Sequence, residues 1–221
     1  MYDVPIQPKD FVFEFASFLL KSNSLRFGVF TLASGKQSAY YIDLRMLPSF
    51  PGYFQLGILA LKNILTEKLG RFDTLASVPT SGLVFGSALA YEMSKPFIYA
   101  RKEPKAYGTH KMIEGFLEPG SKVIIVDDVA TTGTSVSSVV DIMRANGGIV
   151  EDVVALVDRH EGAEDKLKKM GVRLSAVAGI NDIVNALYEA GLIDENALES
   201  VLKQMVTQEE YEIDELTLID H

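Results

Sequence analysis

VIIVDDVATTGTS, Val123 to Ser135, sets four apolar residues ahead of two adjacent aspartates and then a loop of hydroxyl side chains around one glycine. The apolar run reads as a strand buried on both faces, and SVSSVVDIM, which follows, reads as a helix. A strand, a Gly/Thr loop and a helix start in succession make an anion cradle. Gly133 permits backbone conformations that larger residues resist, and the first N–H groups of a helix lack intrahelical acceptors. Thr131, Thr132, Thr134 and Ser135 add hydroxyl donors around it. A plain capped turn needs one such residue, whereas here they come as a run. The spacing is neither GxxxxGK[ST] nor the three-glycine dinucleotide fingerprint, so the cradle suits the phosphate of a mononucleotide. Asp127 and Asp128 would repel that phosphate. A ribose further along the same ligand gives them a partner, because its vicinal hydroxyls donate to carboxylates, as in dinucleotide folds.

Outward from this stretch, short apolar strands alternate with helical patterns. TLASV, a Pro79/Gly82 loop, a helix to Met93, FIYA, KVIIV, a helix from Ser135 to Ala145, VVALV, a short helix and LSAVA follow one another. That alternation predicts an α/β fold, a parallel sheet flanked by helices, over residues 73–180. Ligands of such sheets bind beyond the carboxyl ends of the strands, which singles out the loops after Val78, Ala100, Val126 and Val157. Residues 1–50 read differently. Phe11, Phe15, Phe18 and Leu19 share one face of an amphipathic helix from about Asp10 to Lys21. RFGVFTL and SAYYIDL then form a hairpin around ASGKQ, turning near Ser34 and Gly35. Pro51 opens a helical pattern through Leu69. Residues 181–221 predict a helix pair, about Asn181 to Gln208, and the acidic tail EEYEIDELTLIDH. The whole of 1–221 is expected to be one domain with these appendages.

Composition excludes several classes. With 30 acidic and 21 basic residues the net charge is −9, against a broad electrostatic grip on a nucleic-acid backbone. The chain has no cysteine, which removes disulfides, thiol catalysis and zinc–thiolate sites. MYDVPIQPKD lacks a positive region leading into an apolar run, and FVFEFASFLL is short and carries Glu14. The expectation is a cytoplasmic protein with no membrane segment.

VIIVDDVATTGTS resembles the binding motif for 5-phosphoribosyl-1-pyrophosphate in type I phosphoribosyltransferases. Three further segments resemble the orotate phosphoribosyltransferases among them. RKEPKAYGTHKMIEG, Arg101 to Gly115, is basic within an acidic chain, follows the FIYA strand, and is similar to that family's catalytic loop. RFGVFTLASGKQSAYYIDLR resembles the hood that covers orotate, and LVDRHEGAEDKL resembles the Asp-Arg segment. The resemblance spans Arg26 to about Leu167 in the family's order. It implies that Arg101, Lys102 and Lys105 contact pyrophosphate and that Tyr107 of the same loop binds substrate. It places Asp127 and Asp128 on the ribose and Thr131, Thr132, Gly133, Thr134 and Ser135 on the 5′-phosphate, with Val129 and Ala130 among the substrate-binding residues. Lys36 and Tyr41 of the hood and Arg159 are assigned to the base; a guanidinium can grip a carboxylate or imide edge with two hydrogen bonds. Lys102, Lys105, Asp127 and Asp128 are the residues expected to carry catalysis. Mg²⁺ is implied, held mainly through substrate and through Asp127 or Asp128. A homodimer with shared active sites is implied as well.

Three positions depart from the family's pattern. Ala33 stands where a lysine is common, with Lys36 three residues on; SVPTSG, Ser77 to Gly82, lacks a lysine found in some members; and Tyr107 stands where some have histidine. The implied reaction joins orotate and the phosphoribosyl donor into orotidine 5′-monophosphate and pyrophosphate, in pyrimidine (UMP) biosynthesis. The competing expectations are a phosphoribosyltransferase for another base and a donor-binding regulator without catalysis.

Overall fold

The computed structural model describes residues 8–31, 35, 37–101 and 112–205. Its elements run α1 (Pro8–Lys21), β1 (Leu25–Thr31), β2 (Gln37–Ile42), a 3-10 turn (Leu44–Ser49), α2 (Pro51–Glu67), β3 (Thr74–Ser77), α3 (Gly82–Glu92), β4 (Phe97–Ala100), β5 (Ile113–Glu114), β6 (Lys122–Ala130), α4 (Thr134–Ala145), β7 (Ile149–Asp158), α5 (Ala163–Lys169), β8 (Arg173–Gly179) and α6 (Ile180–Glu189). A last helical stretch covers 195–205. The chain divides into two units, residues 48–177 and residues 1–47 with 178–221. None of the described helices is long and apolar enough to cross a membrane.

In the first of these units the alternation of apolar runs and helices becomes a sheet of order β5-β4-β3-β6-β7-β8. β3 pairs in parallel with β4 and β6, and β6 in parallel with β7. Strand periodicity divides the side chains between two faces. Ala76, Ile98, Ile125 and Val153 pack against Val136, Val139, Val140 and Met143 of α4 and Leu167 of α5. On the other face α3 packs on β3 and β6, and Phe54 of α2 meets Phe85 of α3 edge-on at 5.5 Å. Each fully buried aliphatic side chain here contributes roughly 1.5–3 kcal/mol. Coverage on both faces is why VIIV and VVALV are apolar throughout, not alternating.

Two features differ from the pattern read in the sequence. β6 does not end at Val126 but continues to Ala130, because β7 offers a ladder that reaches Asp158, with Asp127 opposite Ala155 and Ala130 opposite Asp158. The aspartates are therefore strand residues. β5, antiparallel to β4, adds a two-residue edge too short to carry a periodic signal.

In the second unit α1 packs on α6, burying Phe11, Phe15, Phe18 and Leu19 as their spacing predicts. β1 and β2 form the expected antiparallel hairpin, from Leu25 opposite Ile42 to Thr31 opposite Gln37, with a bulge between Phe27 and Phe30. The Arg26 guanidinium lies over the Tyr41 ring at 4.9 Å and the Phe30 ring at 5.5 Å. From the stretch 195–205, the Gln204 side-chain oxygen accepts a hydrogen bond from the Ala39 N–H at 2.7 Å, tying that helix to β2.

The contact of α3 with β3 leaves no room. A Cβ on Gly86 would overlap Ser77 Oγ and stand 2.9 Å from Phe97 Cε2. Ser77 is fully buried, and its hydroxyl has no hydrogen-bond partner among the described residues. Gly86→Ala is expected to destabilise by about 1–3 kcal/mol through overpacking. Ser77→Ala is expected to be neutral or stabilising by about 1 kcal/mol, since it removes an unsatisfied buried group. The double variant should recover part of the Gly86→Ala loss, a coupling that urea denaturation of all four proteins would measure.

Candidate active site

β6 delivers Asp127 and Asp128 to the carboxyl end of the sheet at 9% and 7% exposure. Carboxylates so placed need donors, and two are at hand. The Ser81 hydroxyl, at the start of α3, donates to Asp128 Oδ1 at 2.8 Å, and the Asp128 N–H donates to Asp127 Oδ1 at 3.0 Å. The loop between β3 and α3 can come this close because position 82 has no side chain: a Cβ there would lie 2.8 Å from Asp127 Oδ1 and 3.0 Å from the Val126 carbonyl oxygen. Burial, and then the negative charge of Asp128, pushes the Asp127 carboxyl well above the ordinary carboxylate range. A ligand that brings hydroxyl donors or positive charge relieves that penalty. A phosphate at the same spot would deepen it.

The loop expected to cradle a phosphate lies one step further along the chain. Gly133 takes the left-handed conformation, φ 74°, and its carbonyl accepts from the Ser137 N–H at 2.9 Å to start α4. No side chain caps this helix. Its first N–H groups therefore point outward without an intrahelical acceptor, beside the exposed side chains of Thr132, Thr134 and Ser135. Thr132 Oγ1 and Thr134 Oγ1 are 3.2 Å apart. Anion donors and the carboxylates are thus separated along the chain: hydroxyls and amides outside, aspartates buried behind.

Arg159 follows the end of β7, and its N–H donates to the Ala130 carbonyl at 3.0 Å. Its guanidinium is buried, 6% exposed, and pairs at 2.6 Å with Glu161, equally buried. Arg101, at the end of β4, pairs with Glu114 of β5 at 2.7 Å. β6, the loop after it and the start of α4 thus bring Asp127, Asp128 and the run from Val129 to Ser135 together, and Arg159 joins them through Ala130. Arg101 closes β4 in the same unit. Tyr41 belongs to the other unit, where its hydroxyl accepts from Arg45 at 3.2 Å. Lys36, Lys102, Lys105 and Tyr107 lie outside the described residues.

Four residues of this region carry no motif signal that would have singled them out. Ser81 and Gly82 sit in a loop noted only for its place in the chain, Glu161 matters only once Arg159 is seen to be buried, and Lys166 of α5 donates from Nζ to Thr134 Oγ1 at 2.9 Å. Among the described residues no group of three or more His, Asp or Glu side chains comes together as a metal cage. The adjacent carboxylates of Asp127 and Asp128 nonetheless fit a magnesium ion that takes its remaining ligands from substrate phosphates and water, which is that ion's habit.

The model of the phosphoribosyl transferase domain matches residues 51–186. The chain is 44% identical over 193 residues to the orotate phosphoribosyltransferase of Cenarchaeum symbiosum, covering 86% of this chain and 96% of that protein. It is 40% identical to that of Sulfolobus acidocaldarius, with 87% and 96% covered. Among solved structures, it is similar to orotate phosphoribosyltransferase from Aeropyrum pernix, with a TM-score of 0.68, 36% identity, and 80% and 99% of the two chains covered. It is also similar to UMP synthase of Leishmania donovani, with a TM-score of 0.80, 33% identity and 91% of this chain covered, and it spans 44% of that longer chain.

The raised Asp127 pKa has a sign that can be tested. In the unfolded chain the group titrates near 3.8 and in the folded chain well above it, so folding favours the protonated form. The ligand-free protein should lose stability as pH rises from about 4 through the raised value. Asp127→Asn removes that loss. Its melting temperature should match the wild type near pH 4 and exceed it at neutral pH by about 3 °C or more, read by thermal melts across pH.

Proposed function

The chain belongs to the orotate phosphoribosyltransferase family: it transfers the 5-phosphoribosyl group from 5-phosphoribosyl-1-pyrophosphate to orotate, giving orotidine 5′-monophosphate and pyrophosphate in pyrimidine biosynthesis, and we propose the following division of labour among its residues. Thr131 to Ser135, with the backbone of Val129 and Ala130 leading in, hold the 5′-phosphate. Asp127 and Asp128 take the ribose hydroxyls. Arg101, Lys102, Lys105 and Tyr107 hold the pyrophosphate, while Arg159, Lys36 and Tyr41 hold orotate. The observation that carries this reading is the separation of buried carboxylates from exposed loop hydroxyls at one strand end. A ligand with a phosphate at one end and a neutral, hydroxyl-bearing ring next to it matches that separation.

Departure of pyrophosphate leaves the ribose C1 oxocarbenium-like, as in glycoside cleavage. The negative charge of Asp127 and Asp128 favours the cationic ring. Anchoring of the 5′-phosphate fixes the ring while C1 moves from the leaving group to the orotate nitrogen. Lys102 and Lys105 offset the charge that develops on pyrophosphate. Asp127 or Asp128 would hold a Mg²⁺ ion, directly or through water, and the ion when bound supplies further neutralisation of the pyrophosphate. Closure of the basic loop over the site excludes water and suppresses hydrolysis of the donor. The working form is a cytoplasmic homodimer in which the loop of one subunit serves the site of the other.

Purified protein given orotate, the donor and Mg²⁺ is expected to consume orotate and release pyrophosphate, and to leave purine bases unreacted; turnover of a purine in place of orotate would overturn the base assignment. Lys105→Ala should lower kcat by about 10²–10³. Mixing inactive Lys105→Ala subunits with inactive Asp127→Asn subunits tests the shared site. Random exchange makes half the dimers mixed, each with one intact site, so activity should return to about a quarter of wild type. No recovery after exchange would place each loop over its own subunit's site.

A further inference from the structure

We propose that Lys166 is a further donor-binding residue, whose ammonium group completes the 5′-phosphate cradle from the neighbouring helix; this rests on the reading of the Thr131–Ser135 loop given above. Lys166 Nζ donates to Thr134 Oγ1 at 2.9 Å, and Thr134 Oγ1 is 3.2 Å from Thr132 Oγ1. One cation thus ends a chain of two loop hydroxyls whose side chains face solvent.

Backbone contacts hold α5 in place to make this reach. The Ala163 N–H donates to the Thr131 carbonyl at 3.0 Å, and a Cβ on Gly133 would stand 3.0 Å from Ala163 Cα, so the loop and the first turn of α5 are in close apposition. Lys166 sits one turn in, its own N–H bonded to the Gly162 carbonyl at 3.1 Å. The distance from its Cα to the loop is set by the main chain, with the flexible stem bridging what is left.

Charge gives the contact its purpose. The loop follows two aspartates in a chain of net charge −9, a poor setting for a phosphate dianion. Arg159 and Arg101 face Glu161 and Glu114. Lys166 differs from them: among the described residues it has no carboxylate partner, and its ammonium is spent on a neutral hydroxyl. An ammonium has three donors, so a phosphate oxygen seated among the loop hydroxyls can be met without breaking the bond to Thr134.

The 5′-phosphate is common to the donor and to orotidine 5′-monophosphate, and absent from orotate and pyrophosphate. That asymmetry makes the test specific. Lys166→Gln should raise KM for the donor in the forward reaction and for orotidine 5′-monophosphate in the reverse reaction by about tenfold each, the size of one charge-assisted hydrogen bond at a half-exposed position. KM for orotate and for pyrophosphate should stay within about twofold, and Lys166→Arg should recover most of the loss. Ribose 5-phosphate, which carries the phosphate without the leaving group, should raise the melting temperature of the wild type and fail to raise that of Lys166→Gln. An unchanged donor KM would overturn the proposal, as would a rise in pyrophosphate KM of the same size, which would assign Lys166 to the leaving group. A wild-type protein that does not transfer to orotate at all would instead overturn the underlying reading of the site.

Discussion

Pairing of β6 with β7 continues past the apolar core and carries two carboxylates into the sheet, and the local structure is arranged around that burial. A buried carboxylate is costly unless it is hydrogen-bonded or paired. The chain supplies donors to Asp128 from Ser81 and to Asp127 from the Asp128 amide, and it keeps position 82 bare so that the loop before α3 can reach them. Those contacts leave Asp127 short of stabilisation, because burial and the neighbouring charge of Asp128 both act against its ionised form. The result is a buried acceptor fixed before any ligand arrives, the kind of partner that the ribose hydroxyls of the proposed assignment require. If the aspartates take the ribose hydroxyls as proposed, stability is given up at the strand end and the ring of the substrate finds its partners already fixed.

The same economy of charge governs the cations around the site. Arg159 is buried with Glu161, and Arg101 is paired across β4 and β5 with Glu114. A buried guanidinium without a carboxylate would be strongly destabilising, whereas a paired one is held with its plane fixed. For a side chain expected to read the edge of a planar base, a fixed plane is worth more than free charge, because two parallel hydrogen bonds to a carboxylate or imide demand orientation. Glu161 therefore fixes the plane of the Arg159 guanidinium, the property that its proposed role on orotate calls for, although it stands two residues away and carries the opposite charge.

Much of the fold was legible because its signals are local. The apolar runs VIIV and VVALV announce a sheet covered on both faces, and Phe11, Phe15, Phe18 and Leu19 announce the buried face of α1 by spacing alone. The turn into α4 was legible for a similar reason, since a glycine among hydroxyls ahead of an apolar helical pattern marks a helix start. What the sequence hid depends on partners distant in the chain. The extension of β6 through Asp127 and Asp128 is decided by the length of β7, so two polar residues that read as the start of a loop are strand. Ser81 meets Asp128 across 47 positions and Lys166 meets Thr134 across 32, distances at which no motif or periodicity operates. Arg159 reads as an available cation until its burial with Glu161 is seen.

These hidden contacts share a direction. Ser81 reaches the aspartates from α3, and Ala163 and Lys166 reach the loop from α5, so β6 and the turn after it are gripped from the elements on either side. A loop of small residues would be mobile by itself, and anchoring a phosphate in a mobile loop would lose in ordering entropy much of what the new hydrogen bonds contribute. Under the proposed assignment of this loop to the 5′-phosphate, fixing Gly133 against Ala163 removes that loss before the ligand arrives. The reacting carbon of the ribose must travel between leaving group and base while the rest of the sugar stays still, which requires rigidity at the phosphate end and on the ring hydroxyls. Helices packed on both faces of a mostly parallel sheet can supply it at the strand ends, and here the α3 side meets the aspartates of β6 while α5 meets the turn that follows.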